Sequence, residues 1–189
     1  MNGSPLEAAR QISKIFGALS IRHAIVGSVA SSLRGVPRAT VDVDFVVDLQ
    51  QAHVLPLMNA LNAQYYMSEE AAVEAIRRTG MFNLIHTLTG YKIDVHLVGE
   101  DPYEQTKLAR AISMKVIEGE ELKVATAEDL ILSKLRWYRL GGETSERQWK
   151  DVLGIFLFQP KLDLDYLTRW AENLRISDLL ERAVQESKP

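Results

Sequence analysis

Two short apolar stretches of this chain carry aspartates in strict alternation, and no other feature limits its fold and chemistry as much. They are Ala39-Thr-Val-Asp-Val-Asp-Phe-Val-Val47 and Tyr91-Lys-Ile-Asp-Val-His-Leu-Val98. In a strand, successive side chains point to opposite faces. Val41, Val43 and Phe45 therefore face one way and Asp42 and Asp44 the other, while Lys92, Asp94 and His96 share a face opposite Tyr91, Ile93, Val95 and Leu97. Acidic residues are depleted in strands and converging carboxylates repel, so three of them on neighbouring strands are tolerated only around a cation. Ligation by oxygen alone suits magnesium or manganese. The pattern predicts strands over residues 41–47 and 91–98, and metal ligation by Asp42, Asp44 and Asp94. Surface positions on an edge strand, or a turn, are the plainer readings of the first pair. His96 is placed to orient Asp94 or touch a substrate, although a lone histidine on a strand is more often structural.

Upstream the chain runs His23-Ala-Ile-Val-Gly-Ser-Val-Ala-Ser-Ser-Leu-Arg-Gly35, a short apolar strand that passes through Gly27-Ser28 into a helix. Glycine lets a ligand approach the backbone, a helix N-terminus attracts phosphate, and serine is a good N-cap. Gly27 and Ser28 are thus candidate phosphate contacts, with Ser28 expected at the cap. Arg38 and Thr40 lie just ahead of the acidic pair, where they can reach a phosphate or brace the strand.

Other elements follow from periodicity and turn chemistry. Ser4-Pro5 opens an amphipathic helix to Ser20, with Leu6, Ala9, Ile12, Ile15, Phe16 and Leu19 as its apolar stripe. A strand is expected over 23–26, a helix over Gln51–Tyr65, and a second over Ser68–Thr79 with Ser68 as its cap. A hairpin of 81–86 with 91–98 turns around Thr89-Gly90, and Ile112–Ile117 pairs with Glu121–Val124. From Thr126 the pattern is helical, beginning with the capping box Thr126-Ala-Glu-Asp129. The expected organisation is a mixed α/β core over 1–125 and a helical region over 126–189. In the first helix of that region Ala127, Leu130, Ile131, Leu135, Trp137 and Tyr138 share one arc, and Lys134 falls near its centre. Snorkelling, or pairing with an acidic neighbour, is the ordinary explanation of such a lysine. Trp137, Tyr138 and Trp149 are expected in the core, and Gly141-Gly142 as a helix stop.

Composition excludes more than it selects. A hydrophobic fraction of 47% over 189 residues supplies a core, and the absence of cysteine rules out disulfides and thiolate zinc sites. A net charge of −3 argues against a broad footprint for duplex nucleic acid. Met-Asn-Gly-Ser-Pro lacks the basic and apolar run of a signal peptide, and no stretch approaches bilayer-spanning length. A soluble, cytoplasmic protein without a membrane partner is the expectation.

Gly27-Ser28, thirteen further residues, Asp42-Val-Asp44 and a later strand bearing Asp94, in that order and each on its expected element, resemble the nucleotidyltransferase superfamily that includes DNA polymerase beta. Ala127-Glu-Asp-Leu-Ile-Leu-Ser-Lys-Leu-Arg-Trp-Tyr-Arg139, followed by Glu146-Arg-Gln-Trp-Lys-Asp-Val-Leu153, looks like the helical half of the AbiEii-type toxin branch. The resemblance implies an α+β fold, a nucleotidyltransferase-like mixed sheet flanked by helices and followed by a C-terminal helical region. It implies an enzyme that uses magnesium or manganese to transfer a nucleoside monophosphate from a nucleoside triphosphate to an acceptor hydroxyl. It also implies that Lys134 contacts the nucleotide phosphates. Asp151 matches an acidic residue of the branch, although an i, i+4 pair with Arg147 is an ordinary alternative. The acceptor stays open between tRNA, a protein and a small molecule, and a cognate antitoxin is an expected partner. A catalytically inactive nucleotide-binding or protein-interaction module is the second reading, since fold alone does not establish function. A DNA binder using the C-terminal helices is the weakest, because the tail from Leu162 carries as much acid as base.

Overall fold

A computed structural model describes residues 4–37, 39–40, 42–117 and 120–187. Contacts divide the chain into two units, Met1–Val29 with Ala39–Ala125 and Ala30–Arg38 with Thr126–Pro189. In the first, α1 (Pro5–Ala18) begins at Ser4, whose hydroxyl accepts the Glu7 N–H at 3.1 Å. Its proline stands in the first turn, where the missing N–H leaves no intrahelical bond unmade. β1 (His23–Val26) runs without a break into α2 (Gly27–Arg34), which carries the chain into the second unit at Ala30. β2 (Val43–Val47), α3 (Val54–Leu61), β3 (Tyr65–Met67), α4 (Glu69–Arg78), β4 (Met81–His86), β5 (Lys92–Leu97), α5 (Pro102–Arg110), β6 (Ile112–Ile117) and β7 (Glu120–Val124) complete the first unit.

The strands form one mixed sheet in the order β3-β4-β5-β2-β1-β7-β6. β2 pairs with β5 and β1 with β7 in parallel, while β1/β2, β3/β4, β4/β5 and β6/β7 are antiparallel. One face is apolar: Phe16 of α1 stands edge-on to Phe45 of β2 at 5.5 Å. On the opposite face Ala24 and Val46 pack with Val98 and with Leu108 of α5.

Three expected boundaries are corrected. The helix expected over 51–65 is a short 3-10 turn at Gln51–His53, then α3, then another 3-10 turn, because Asn62 turns the chain at φ +51°. Tyr65 starts β3, with Tyr65 and Met67 buried and Tyr66 exposed, so pairing with β4 overrides local helix preference. Of the strand expected over 41–47, Val41 lies outside the described residues, Asp42 precedes the strand, and β2 begins at Val43, where pairing to Ile93 of β5 begins. α5 was not anticipated. Asp101-Pro102 is its start signal, the Asp101 carboxylate accepting the N–H groups of Tyr103 and Glu104 at 2.8 and 3.2 Å.

His23 is packed between Phe16 and Phe45 and satisfied as a neutral ring, its Nδ1 2.9 Å from the Ile21 carbonyl and its Nε2 2.7 Å from the Ser13 hydroxyl. Burial first, with the charge of Lys123 in the same direction, holds its pKa below the ordinary 6.5, outweighing the bond to Ile21. The unfolded chain therefore takes up this proton first as pH falls, so His23 leaves stability intact above about pH 6.5 and erodes it below. Urea unfolding of the parent and of His23→Gln at about pH 8 and about pH 5.5 is expected to show a smaller acid loss in the variant.

The second unit is helical, with the rest of α2 joined by α6 (Ala127–Leu140), α7 (Glu146–Phe158), α8 (Leu164–Asn173) and α9 (Ser177–Glu186). The Thr126 hydroxyl caps α6 by accepting the Asp129 N–H at 3.2 Å and donates to Asp129 Oδ2 at 2.7 Å. Asp129 Oδ1 accepts the Tyr166 hydroxyl at 2.6 Å, which satisfies a fully buried carboxylate. Just beyond α2, Gly35 lies against the backbone of α7: a Cβ there would stand 3.0 Å from the Gly154 carbonyl carbon and the Ile155 nitrogen. Tyr138 and Trp149 are core residues as expected, but Trp137 is 59% exposed. It lies at the margin of the buried arc of α6, in the last turn before the cap at Gly141. Among the described residues no helix is long and apolar enough to cross a membrane.

Candidate functional site

The parallel register of β2 and β5 sets Asp44 directly beside Asp94, and the β4/β5 hairpin sets Asn83 opposite Asp94 on its other side. Across the remaining edge Asp44 pairs with Val26, the last residue of β1. Gly27 follows at φ +61° and opens α2 against the aspartate so closely that a Cβ would stand 2.6 Å from Asp44 Cγ. Glycine alone tolerates both the conformation and the approach. A helix N-terminus, which favours anions, thus begins at a carboxylate on the neighbouring strand.

Polar side chains of the same face meet these acids. Lys92 Nζ lies 3.0 Å from Asp94 Oδ2, Asn83 Nδ2 donates to Asp94 Oδ1, and His96 Nε2 lies 3.6 Å from Asp44 Oδ1. The side chains of Asp94 and Asp44 are 14% and 23% exposed. The hydrogen bond to Asp94, then the charges of Asp94, Asp42 and Asp44, raise the Lys92 pKa above its ordinary value against the cost of desolvation. One ammonium therefore sits in the field of all three carboxylates.

Gly27, Asp44 and Asp94 are brought together as expected. Asp42 is exposed ahead of β2, and its carbonyl accepts the Thr40 hydroxyl at 3.3 Å. Ser28, expected as an N-cap, is the second residue of α2, because the helix follows β1 without a loop. Arg38 lies outside the described residues. In the second unit Lys134 is buried on α6, its Nζ 2.8 Å from Asp151 Oδ2 and 3.2 Å from Gln148 Oε1. The expectation that His96 orients Asp94 is modified: its ring approaches Asp44. Asn83 was not singled out from sequence, although a turn pairing His86 with Tyr91 places residue 83 opposite residue 94 by counting back along both strands.

Among the described residues no group of three or more histidine, cysteine, aspartate or glutamate side chains is arranged to hold a metal ion. The oxygens of Asp44 and Asp94 are turned to His96, Lys92 and Asn83 instead. In kind, the donors nevertheless suit a hard divalent cation: they are carboxylates alone, and a lysine ammonium is already drawn to them.

No family model and no curated protein matches the chain. Solved structures do. The crystal structure of ANT(2")-Ia in complex with adenylyl-2"-tobramycin superposes with a TM-score of 0.58 at 13% identity, over 90% of this chain and 96% of that one. An antigenic nucleotidyltransferase-like protein from Paracoccidioides brasiliensis gives 0.58 at 16% identity, over 96% and 92%. The lincosamide antibiotic adenylyltransferase LnuA, lincomycin-bound, gives 0.55 at 12% identity, over 82% and 98%. At such identities the likeness is one of fold, and the fold is nucleotidyltransferase-like.

Proposed function

We propose that the chain is a divalent-metal-dependent nucleotidyltransferase, moving a nucleoside monophosphate from a nucleoside triphosphate to an acceptor hydroxyl and releasing pyrophosphate. The observation that carries this reading is the adjacent register of Asp44 and Asp94 with Gly27 and the start of α2 against Asp44. Asp44 and Asp94, with Asp42 ahead of β2, are the residues that would hold magnesium or manganese. When bound, such an ion neutralises charge on the attacked phosphate and on the leaving pyrophosphate. Gly27 leaves the backbone bare where a triphosphate approaches, and Ser28 and the N-terminus of α2 favour its negative charge. Asp94, on the side of the site away from α2, accepts the proton of the acceptor hydroxyl as its oxygen attacks the α-phosphorus and the bond to the bridging oxygen breaks. This division keeps donor and acceptor on opposite sides of one pair of carboxylates, so the chain contributes mostly positioning and electrostatics.

The AbiEii-type likeness adds a cellular acceptor, tRNA or protein, and a cognate antitoxin. The lincosamide antibiotic adenylyltransferase LnuA and ANT(2")-Ia, the latter in complex with adenylyl-2"-tobramycin, share the fold and favour a small-molecule acceptor. Pyrophosphate release from each of the four ribonucleoside triphosphates, with magnesium or manganese and with total RNA, lysate protein or hydroxylated antibiotics as acceptor, separates them. Release that needs both metal and acceptor is the expected result. Metal-dependent nucleotide binding without release under any of these conditions would mean a binding module instead.

A further inference from the structure

The acidic site carries its own cation. Lys92 precedes Asp94 by two residues on β5, so the pleat puts both side chains on the face that bears Asp44. Its ammonium is 3.0 Å from an Asp94 oxygen, while the side chain is 46% exposed. It can therefore leave Asp94 by rotation about its own torsions, with no change in the backbone. Asn83 holds the other Asp94 oxygen from β4, so the carboxylate stays in place when the lysine departs.

Resting on the metal-dependent reading above, we propose that Lys92 is a built-in counter-ion of the acidic site, which a divalent metal must displace from Asp94 in order to bind. Lys92 thereby lowers the affinity of the site for metal and relieves carboxylate repulsion when metal is scarce. A divalent ion and an ammonium cannot share one oxygen at close range without strong repulsion, so binding one releases the other.

Manganese titrated calorimetrically into the nucleotide-free protein, together with thermal unfolding in chelator, reads both effects without turnover. Lys92→Met keeps the stem and removes the charge. It is expected to bind manganese about ten-fold tighter or more, the scale of removing one unit charge near the ion. It is also expected to melt at a lower temperature than the parent in chelator, and to gain more from added manganese. Lys92→Arg keeps the charge and is expected to bind like the parent, while Asp44→Asn abolishes binding and so locates the ion. Lys92→Gln repeats the test should the methionine variant not fold. Equal or weaker manganese binding by a folded Lys92→Met overturns the counter-ion role while leaving the metal site standing. No manganese binding by the parent and the neutral variants alike overturns both.

Discussion

Asp44→Asn is expected to lose manganese binding and to lower nucleotidyl transfer by about a thousand-fold or more, while folding as well as the parent. The reason lies in how little else the substitution changes. Asparagine has the shape of aspartate, so the contact with Gly27 that admits no Cβ is preserved. The β1/β2 and β2/β5 ladders that fix residue 44 are backbone pairings and do not depend on its side chain. What disappears is one of the adjacent negative charges. For a metal this removes a ligand oxygen's charge, and electrostatic stabilisation of phosphoryl transfer is a term worth several kcal/mol. For the fold it removes repulsion, since Asp94 keeps Lys92 and Asn83. Calorimetric manganese titration, pyrophosphate release and urea unfolding of parent and variant give the three quantities. A variant that keeps full turnover would remove Asp44 from the metal site, and one that loses activity together with several kcal/mol of stability would make Asp44 a structural residue.

Much of this site was legible because it rests on short-range periodicity. Alternation across Asp42-Val-Asp-Phe and Lys92-Ile-Asp-Val-His put the acids on one face, and the structure keeps Lys92, Asp94 and His96 there. What alternation cannot supply is which strands are neighbours. That β2 lies beside β5 in parallel, with β1 on its far side, depends on crossovers between distant segments, so the pairing of Asp44 with His96 was not readable from either strand alone. Boundaries failed where a local signal met a tertiary one. Helix propensity ran on through Asn62, but β4 offered Tyr65 a partner strand. Trp137 falls within an apolar arc and is expected in the core on that ground, yet an arc says nothing about whether a neighbour covers its edge in the last turn. The start of α5 was a different kind of omission, since Asp101-Pro102 is a complete capping signal and its geometry is realised.

Lys134 is the residue at which a structural and a catalytic role predict different numbers. Its ammonium and the Asp151 carboxylate are 7% and 9% exposed and 2.8 Å apart, with Gln148 also accepting from the lysine. Charges this deep are poorly hydrated, so losing the carboxylate 2.8 Å from a buried ammonium is costly: Asp151→Ala is expected to destabilise the protein by about 3–5 kcal/mol. The double change Lys134→Met with Asp151→Leu removes both charges at similar volume and is expected to recover most of that loss, because a buried pair contributes little net stability over an apolar replacement. Urea unfolding of the two variants measures the asymmetry. The same double variant then isolates the phosphate contact that the AbiEii-type resemblance implies for Lys134. If the lysine serves the triphosphate, the restored fold still shows a raised KM for nucleotide and a lowered kcat. If its task is structural, the double variant turns over like the parent, and the positive charge that the reaction needs comes from groups other than Lys134.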